Sequence, residues 1–344
     1  MNRRTLQSAR TWMKPSLDII VVNWNSGEHL ERCLQSIQSA CKDGLELQRV
    51  VVVDNASSDC SVEGLEGTGL PLRVISNDSN RGFAAACNQG AKGSSADYLL
   101  FLNPDTVVES KCLAAAMQFM QTQENSGIGI CGIQLVDEEG LVKRSCSRFP
   151  RPGHFYAQML GLNRLFPEWF PGNFMSEWDH AETRQVNVVT GAFFLVRRAV
   201  FETLGGFDEQ YFVYLEDVDF AEATHRAKWG CVYLASAQAY HKGGGCSEQV
   251  KAARLFYSLC SRILYGYKHF KWITATSLLL GTLFVEPLSR IAWTGLRGSL
   301  SEMGETLSAY RMLWLDLPRL LAKSTCRQRP GQLSKKALHS STAD

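Results

Sequence analysis

Apolar runs that end in polar residues recur along the first 125 positions of the chain. Residues 18–23, 49–54, 72–75 and 98–102 are rich in branched and aromatic side chains, which is typical of β-strands. Helical spacing separates them, with predicted helices from Asn25, over 81–92 and over 110–123. Strands that alternate with helices predict right-handed βαβ units and a parallel sheet.

Polar side chains stand where these strands end. They are Asn23, Asp54 with Asn55, and Asn103 with Asp105. Ligands of such sheets bind beyond the carboxyl ends of the strands, so the pattern predicts a binding site along one sheet edge. The alternative for each motif is local, because Asn, Asp and Pro also form turns and helix caps.

The second half of the chain has a less regular pattern. We predict a hairpin of residues 128–136 and 141–146, strands over 186–196 and 231–234, and a helix over 216–229. Residues 147–183 carry no clear pattern. A GxGxxG match at Gly127–Gly132 follows a helix and enters a strand, the reverse of the order that a dinucleotide site requires.

Composition removes several classes of function. The formal net charge of +2 gives no support for nucleic-acid binding. The eleven cysteines are odd in number, irregularly spaced and without a CxxC pair, which disfavours a disulfide framework or a zinc ribbon. The basic N-terminus lacks a following apolar stretch, so we expect no secretory signal and a cytoplasmic protein.

Two further motifs could carry chemistry. Glu216, Asp217 and Asp219 place three carboxylates within four residues. Like-charge repulsion raises the proton affinity of such a group, which suits a general base, although acidic residues also favour helix N-termini. His241 precedes a glycine run that permits close approach to a ligand; a lone histidine is otherwise more often structural.

In chain order the motifs VVNWNSGEHLERCLQSI, VVVDNASSD, NRGFAAACNQG, YLLFLNPDT, VTGAFFLVRRAVFETLGGFDEQYFVYLEDVDF and AYHKGGG resemble the family 2 glycosyltransferases. The resemblance covers roughly residues 16–270 and implies the GT-A fold, an α/β architecture with a Rossmann-like, mostly parallel sheet and a C-terminal helical extension. The run SRFPRP and the WDH triplet are similar to bacterial rhamnosyltransferases of cell-surface polysaccharide assembly.

The resemblance implies a role for each motif. Asp217 would be the catalytic base, supported by Glu216, and Asp219 and Trp178 would lie at the acceptor site. Asp105 and His241 would hold Mg²⁺ or Mn²⁺ against the diphosphate. The residues expected at the nucleotide sugar are Asn23, Asp54, Asn80, Arg81, Gly82, Asn88, Asn103, Gly191 and Ala192.

Two positions depart from the family pattern. Asn103 replaces the first Asp of the usual DxD motif, which removes one negative charge from the implied metal site. Ala223 stands where such enzymes often carry arginine, and Arg226 on the same predicted helix could substitute for it.

We divide the chain into an N-terminal tail (1–15), a nucleotide-sugar half (16–125), an acceptor half (126–250), a helical region (251–323) and a disordered tail (324–344). Residues 272–285 are apolar but too few for a confident membrane span. Residues 303–321 form an amphipathic stripe beside Lys and Arg. We therefore predict peripheral attachment to the inner face of the plasma membrane, although a helical pair packed on the core would show the same pattern.

The resulting hypothesis is an inverting transferase that moves a sugar to a glycan or a polyprenyl-diphosphate-linked acceptor. The predicted donor is dTDP-L-rhamnose, with a UDP-sugar as the alternative. A nucleotidyltransferase would need a glycine-rich, lysine-containing loop where this chain has Asn23-Trp24-Asn25. A non-catalytic nucleotide-sugar scaffold is disfavoured by the intact Asp105, Asp217 and His241 set.

Overall fold

The computed structural model describes residues 14–41, 44–243 and 250–325. Most of both predicted tails, and Gly244 and Gly245 of the glycine run, lie outside these residues. No disulfide is present among the cysteines that the structure describes, and most of their side chains are buried.

A nine-stranded mixed sheet forms the centre of the molecule, with the order β3-β2-β1-β4-β10-β6-β11-β5 and β8 paired to β11. Strands β1 to β4 are parallel, whereas β10 runs antiparallel to both of its neighbours, β4 and β6. A second, two-stranded sheet pairs β7 with β9. The strands are β1 (Ser16–Asn23), β2 (Glu46–Asp54), β3 (Leu72–Ser76), β4 (Tyr98–Leu102), β5 (Thr106–Val108), β6 (Ile128–Val136), β7 (Cys146–Ser147), β8 (Arg184–Val186), β9 (Val188–Val189), β10 (Phe193–Arg197) and β11 (Gly230–His241).

Helices cover both faces of the large sheet. They are α1 (Glu28–Ala40), α2 (Phe83–Ala91), α3 (Cys112–Gln121), α4 (Pro152–Met159), α5 (Leu162–Leu165), α6 (Arg198–Leu204), α7 (Glu216–Arg226), α8 (Lys251–His269), α9 (Trp272–Leu280), α10 (Glu286–Leu296) and α11 (Leu300–Thr325). Short 3₁₀ turns and a π-helical turn at Gly281–Val285 complete the described helices.

The valine run of β2 shows why helices must cover both faces of the sheet. Val50 and Val52 pack into a core with α1 and α3, whereas Val51 and Val53 pack into a core with α2, α6 and α7. Successive side chains of a strand point to opposite faces, so a continuous apolar run is stable only when both faces are covered. The predicted α/β architecture with a mostly parallel sheet is therefore confirmed.

Several predicted boundaries are wrong. Helix α1 begins at Glu28 rather than Asn25, because Asn25 has a φ of 50° and the Ser26 hydroxyl donates to Asn23 instead of capping a helix. The return strand of the predicted hairpin is reduced to a single bridge from Val136 to Val142. The nucleotide and acceptor halves share one sheet, since β10 lies between β4 and β6.

The C-terminal helices form a layer of their own. Helices α8 and α11 pack against the core that contains α7, and α9, the π turn and α10 form one continuous helix from Trp272 to Leu296. This helix is long and apolar enough to cross a membrane by length and composition, and only 33% of its most apolar 18-residue window is buried. At its middle, however, Glu286 is 1% exposed and forms an ion pair with Arg262 of α8.

Candidate active site

Asn23 and Asp54 are neighbours at the carboxyl edge of the large sheet, in register at the ends of β1 and β2. The Asn23 amide donates to Asp54 Oδ1 over 2.8 Å and also lies 3.0 Å from the Ser57 hydroxyl and 2.9 Å from that of Ser61. Asn23 is 0% exposed. It therefore positions Asp54 and the serine loop in this structure, and a nucleotide-sugar contact by Asn23 stays a prediction.

A second group of predicted residues continues the same edge. The Asn55 amide donates to the Gly82 carbonyl over 3.2 Å, and the Gly82 N–H donates to Asn80 Oδ1 over 3.0 Å. Arg81 between them is exposed. Gly82 has a φ of 87°, and a Cβ there would stand 2.5 Å from the Phe212 carbonyl oxygen. The loop expected at the nucleotide thus abuts the segment that leads to Asp217.

Asp217 lies in the first turn of α7, next to β10. Its Oδ2 accepts the Gly191 N–H over 3.1 Å, and its Oδ1 accepts the Val218 N–H over 2.8 Å. The following residue, Ala192, accepts the N–H of Asn103 through its carbonyl over 3.1 Å. The structure therefore joins the predicted base, Gly191-Ala192 and the end of β4 through direct hydrogen bonds.

The segment before Asp217 has an unusual backbone. Tyr214 and Leu215 both have positive φ angles, 70° and 66°, which non-glycine residues adopt at a cost of about 1–3 kcal/mol each. Contacts from α8 hold the segment in place. Tyr257 stacks on Phe212 with ring centroids 4.2 Å apart, and the Ser261 hydroxyl donates to the Val213 carbonyl over 2.8 Å.

The acidic pair has shifted proton affinities. Burial, followed by repulsion from Asp217, raises the pKa of Glu216 well above its usual value. One oxygen of Glu216 is buried without a hydrogen-bond partner among the described residues. Burial also raises the pKa of Asp217, although the N–H groups of Val218 and Gly191 oppose the rise. A raised proton affinity in this pair suits a group that accepts a proton.

Asp105 and His241 meet where β5 pairs with β11. Their Oδ1 and Nε2 atoms lie 3.3 Å apart, and the His241 nitrogen is buried without a hydrogen bond among the described residues. Two donors in adjacent positions around Mg²⁺, each about 2.1 Å from the ion, stand about 3 Å apart, so this pair fits a divalent cation. Within residues 14–41, 44–243 and 250–325 no group of three such side chains occurs. Two protein donors would leave positions for diphosphate oxygens.

Comparison with known families identifies this arrangement. Residues 18–205, more than half of the chain, match the family described as glycosyl transferase family 2. The chain belongs to glycosyl transferase family 2. It is accordingly a glycosyltransferase enzyme, as the sequence predicts.

Relatives of this family 2 enzyme include rhamnosyltransferases. N-acetylglucosaminyl-diphospho-decaprenol L-rhamnosyltransferase of Mycobacterium tuberculosis is 27% identical over 245 residues, 67% of this chain and 76% of that protein. Rhamnosyltransferase WbbL of Escherichia coli K12 is 29% identical over 147 residues, 42% of this chain and 52% of WbbL.

A solved structure has the same fold as this chain. It is the mannosyltransferase PcManGT from Pyrobaculum calidifontis in complex with GDP-Man and Mn²⁺, which aligns with a TM-score of 0.51 at 18% identity. The alignment covers 91% of this chain and 87% of that one. The predicted GT-A fold is confirmed.

Asp219 of the family 2 enzyme is not brought together with Asp217. Side chains two residues apart on a helix point to nearly opposite sides. Asp219 is buried, and its oxygens accept from Lys268 over 2.8 Å and pair with His269 over 2.7 Å. This carboxyl group ties α7 to α8, and a role for Asp219 at the acceptor site stays a prediction. Arg226 does not substitute for arginine at position 223, since it bonds Glu222 and His269.

Two other predicted residues have structural contacts. Trp178 is buried in the core, stacked on His180 at 4.1 Å and edge-on to Tyr233. It packs as a core aromatic in this structure, and an acceptor contact by Trp178 stays a prediction. The Asn88 amide donates to the Phe207 carbonyl over 2.8 Å and accepts the Phe207 N–H over 2.9 Å. These bonds fasten α2 to the loop after α6, and a nucleotide contact by Asn88 stays a prediction.

Sequence reasoning missed residues that shape the metal-site end of the edge. The Lys143 ammonium donates to the carbonyls of His241 and Lys242 over 2.7 and 2.8 Å. The Gly243 N–H donates to Asp105 Oδ2 over 3.2 Å. No pattern around Lys143 signals this role, because 98 residues separate it from His241. Ser57 and Ser61, which contact Asn23, could have been noticed in the sequence, because they closely follow the end of β2.

Proposed function

We propose that this family 2 enzyme is an inverting rhamnosyltransferase that uses dTDP-L-rhamnose and a lipid-linked acceptor, with Asp217 as the general base. A divalent cation, Mg²⁺ or Mn²⁺, would be held by Asp105 and His241. When bound there, the cation would offset negative charge on the departing diphosphate.

One observation carries the proposal. A continuous series of contacts runs along the sheet edge from Asp217 through Gly191-Ala192 and Asn103 to the loop that contains Asp105. A base and a diphosphate site on one edge are what sugar transfer from a nucleotide donor requires. A binding scaffold has no need for a buried pair of carboxylates with raised pKa values.

The residues suggest the following reaction. Asp217 accepts the proton of an acceptor hydroxyl as that oxygen attacks the anomeric carbon. The bond from that carbon to the diphosphate oxygen breaks on the opposite face, so the configuration inverts and the nucleoside diphosphate leaves. The Gly191 and Val218 N–H groups fix the orientation of the Asp217 carboxylate. Burial and the neighbouring Asp217 raise the pKa of Glu216, which lowers the tendency of Glu216 to carry a second negative charge beside the base.

The choice of donor and acceptor rests on the relatives. The mycobacterial relative is named for transfer of L-rhamnose to N-acetylglucosaminyl-diphospho-decaprenol, and the E. coli relative is also named as a rhamnosyltransferase. We extend both the sugar and the lipid-linked acceptor class to this chain. A UDP-sugar donor remains the alternative outcome of the experiment below.

We further propose that the C-terminal helices lie on the cytoplasmic membrane surface. Trp272, Ile273, Leu288 and Leu296 are between 63% and 85% exposed, an apolar area that water disfavours. The buried pair of Glu286 with Arg262 holds the centre of the Trp272–Leu296 helix against α8. A helix docked in this way can contact lipid with one face but does not cross the bilayer.

A donor panel tests the proposal on the full chain. dTDP-L-rhamnose, UDP-glucose, UDP-N-acetylglucosamine and GDP-mannose are each measured for Mn²⁺-dependent thermal stabilisation and for turnover with a short prenyl-diphosphate N-acetylglucosamine. A ligand at a hundred times its dissociation constant stabilises by about 2.7 kcal/mol, a shift that is readily seen. We expect the largest effect with dTDP-L-rhamnose, and its loss in Asp105→Asn.

Asp217→Asn should lower turnover by about 10²–10⁴-fold, the usual contribution of a general base, and leave donor binding unchanged. Glu124→Gln, an exposed acid on the opposite part of the fold, is the control and should match the wild-type protein. Retained turnover in Asp217→Asn would remove Asp217 as the base. A response to one UDP-sugar alone would replace the donor and keep the mechanism.

A further inference from the structure

The SRFPRP run of the sequence forms a cavity outside the edge described above. The cavity has a volume of about 360 Å³ and is lined by Arg148, Phe149, Pro150, Arg151, His154 and Asn187. Half of these lining residues carry basic side chains. Neither the predicted base nor the metal pair is among them, so the proposed reaction leaves this cavity without a role.

Its electrostatic character is positive. Burial, followed by the positive charges of Arg151 and Arg148, lowers the pKa of His154 below its usual value. An anion in the cavity would offset the same repulsion. The described acid that contacts the lining is Glu177, whose carboxylate pairs with Arg148. Both partners of that pair are about half exposed, so an entering anion can compete for the guanidinium group.

Two elements set the distance from the cavity to Asp217. Asn187 and Gly191 flank β9 and are four residues apart, so they are separated by at most roughly 13 Å. The Gly191 N–H holds the Asp217 carboxylate. Along α7, His225 is eight residues from Asp217, roughly 12 Å of helix rise. His225 contacts Phe149 with ring centroids 5.7 Å apart. Both measures limit the separation to roughly 13 Å along the chain, a span that a sugar residue and a diphosphate can bridge.

The cavity also adjoins the apolar C-terminal layer. Arg151 and His154 belong to the start of α4, and further along that helix the Tyr156 hydroxyl lies 2.5 Å from the Ser277 hydroxyl of α9. Ser277 lies on one helical stripe with Ile273 and Leu280, which are 63% and 50% exposed. A ligand with an anionic head in the cavity would therefore have an exposed apolar surface beside it.

We propose that this cavity binds the diphosphate of the lipid-linked acceptor, with Arg148 and Arg151 contacting phosphate oxygens and the lipid chain leaving over α4 toward α9. Arginine suits this task because its planar fork donates two parallel hydrogen bonds to phosphate. The proposal rests on the proposed function for the identity of the acceptor, and it adds the site at which that acceptor is recognised.

Binding of three probes to the full chain tests the proposal, with dTDP and Mn²⁺ first saturating the donor site. The probes are farnesyl diphosphate, inorganic pyrophosphate and farnesol, and calorimetry measures the binding of each. We expect farnesyl diphosphate to bind most tightly. The double variant Arg148→Gln, Arg151→Gln should weaken it by roughly tenfold or more, because hydrogen bonds to charged groups are lost. Arg73→Gln, which removes an exposed arginine of the edge strand β3, should bind like the wild-type protein.

Glu177→Gln gives a result of opposite sign. It frees Arg148 from its carboxylate, so farnesyl diphosphate should bind more tightly, a gain that misfolding cannot produce. Equal binding of farnesol, or an unchanged affinity in the double variant, would overturn the proposal. Equal binding of pyrophosphate would overturn the lipid-linked source. A failure of the proposed function would be seen separately, as absent donor turnover, because a chain that does not bind the donor could still bind farnesyl diphosphate.

Discussion

Removing the charge of Glu286 tests how the C-terminal layer is held to the catalytic core. Glu286 is 1% exposed, and its carboxylate pairs with Arg262 and, over 2.8 Å, with Arg290. Burial favours the neutral acid, but the two arginines outweigh it and hold the pKa of Glu286 below its usual range. The group is therefore charged at neutral pH, and Arg262 depends on it for neutralisation.

The expected loss of stability follows from that burial. Glu286→Gln leaves the Arg262 guanidinium charged and 2% exposed, and breaking such a pair costs about 3–5 kcal/mol. For a chain of this length that free energy lowers the melting temperature by roughly 4–7 °C. Thermal unfolding followed by circular dichroism at neutral pH measures the shift. The double variant Glu286→Leu, Arg262→Met should recover most of it, because it removes the fully buried charge, and the Arg290 that it leaves without a carboxylate is 25% exposed to water.

Glu302→Gln is the matched control, since Glu302 is an exposed acid in the first turn of α11. Its melting temperature should stay within about 1 °C of the wild-type value. The reasoning fails if Glu286→Gln melts as late as this control, or if the double variant is less stable than either single one. The wild-type protein should also lose stability as the pH falls below 4.5, the ordinary pKa of Glu286, toward its lower folded-state value.

Two further variants address the active edge and the link between α7 and α8. Gly82→Ala should lower the free energy of unfolding in urea by about 1–3 kcal/mol and lower turnover, because its Cβ would meet the Phe212 carbonyl at 2.5 Å in a left-handed backbone. Gly64→Ala is the control, because Gly64 also has a positive φ but has open space around it. The difference between the two variants measures the effect of the clash apart from that of the backbone strain. Burial would lower the pKa of His269, but Asp219 and Glu222 raise it above 6.5. The stability that protonated His269 contributes is therefore complete below pH 6.5 and is lost as the pH rises through the folded-state pKa. The melting temperature should fall over that pH range in the wild-type protein, and this fall should be absent in His269→Gln.

The positions of the residues proposed to bind the donor could be predicted from the sequence because their signals are local. Asp54 and Asp105 each follow an apolar strand, and topology alone brings the carboxyl ends of parallel strands together. The acidic pair at Glu216 and Asp217 was found in the same way, from charge density at a helix start. These predictions needed only strand order and the position of each residue within its own element.

The acceptor half could not be predicted in this way because its contacts are distant in sequence. Asp219 faces Lys268, 49 residues later, and no local pattern reveals that α8 returns to meet α7. Trp178 packs in the core against His180 and Tyr233, and no local pattern reveals that packing. The cavity near Arg148 depends on β7 pairing with β9, two strands that are each two residues long and below the length at which periodicity is visible.

The contacts between α8 and the segment before Asp217 limit how the protein can be shortened. The matched family region ends at residue 205, whereas Tyr257 and Ser261 hold Phe212 and Val213, and Lys268 and His269 hold the helix that follows. A truncated chain that ends before α8 would keep every residue proposed to handle the donor, yet lose the support beneath two left-handed residues. Such a fragment should bind nucleotide and fail to turn over, so a useful soluble fragment must extend past residue 269.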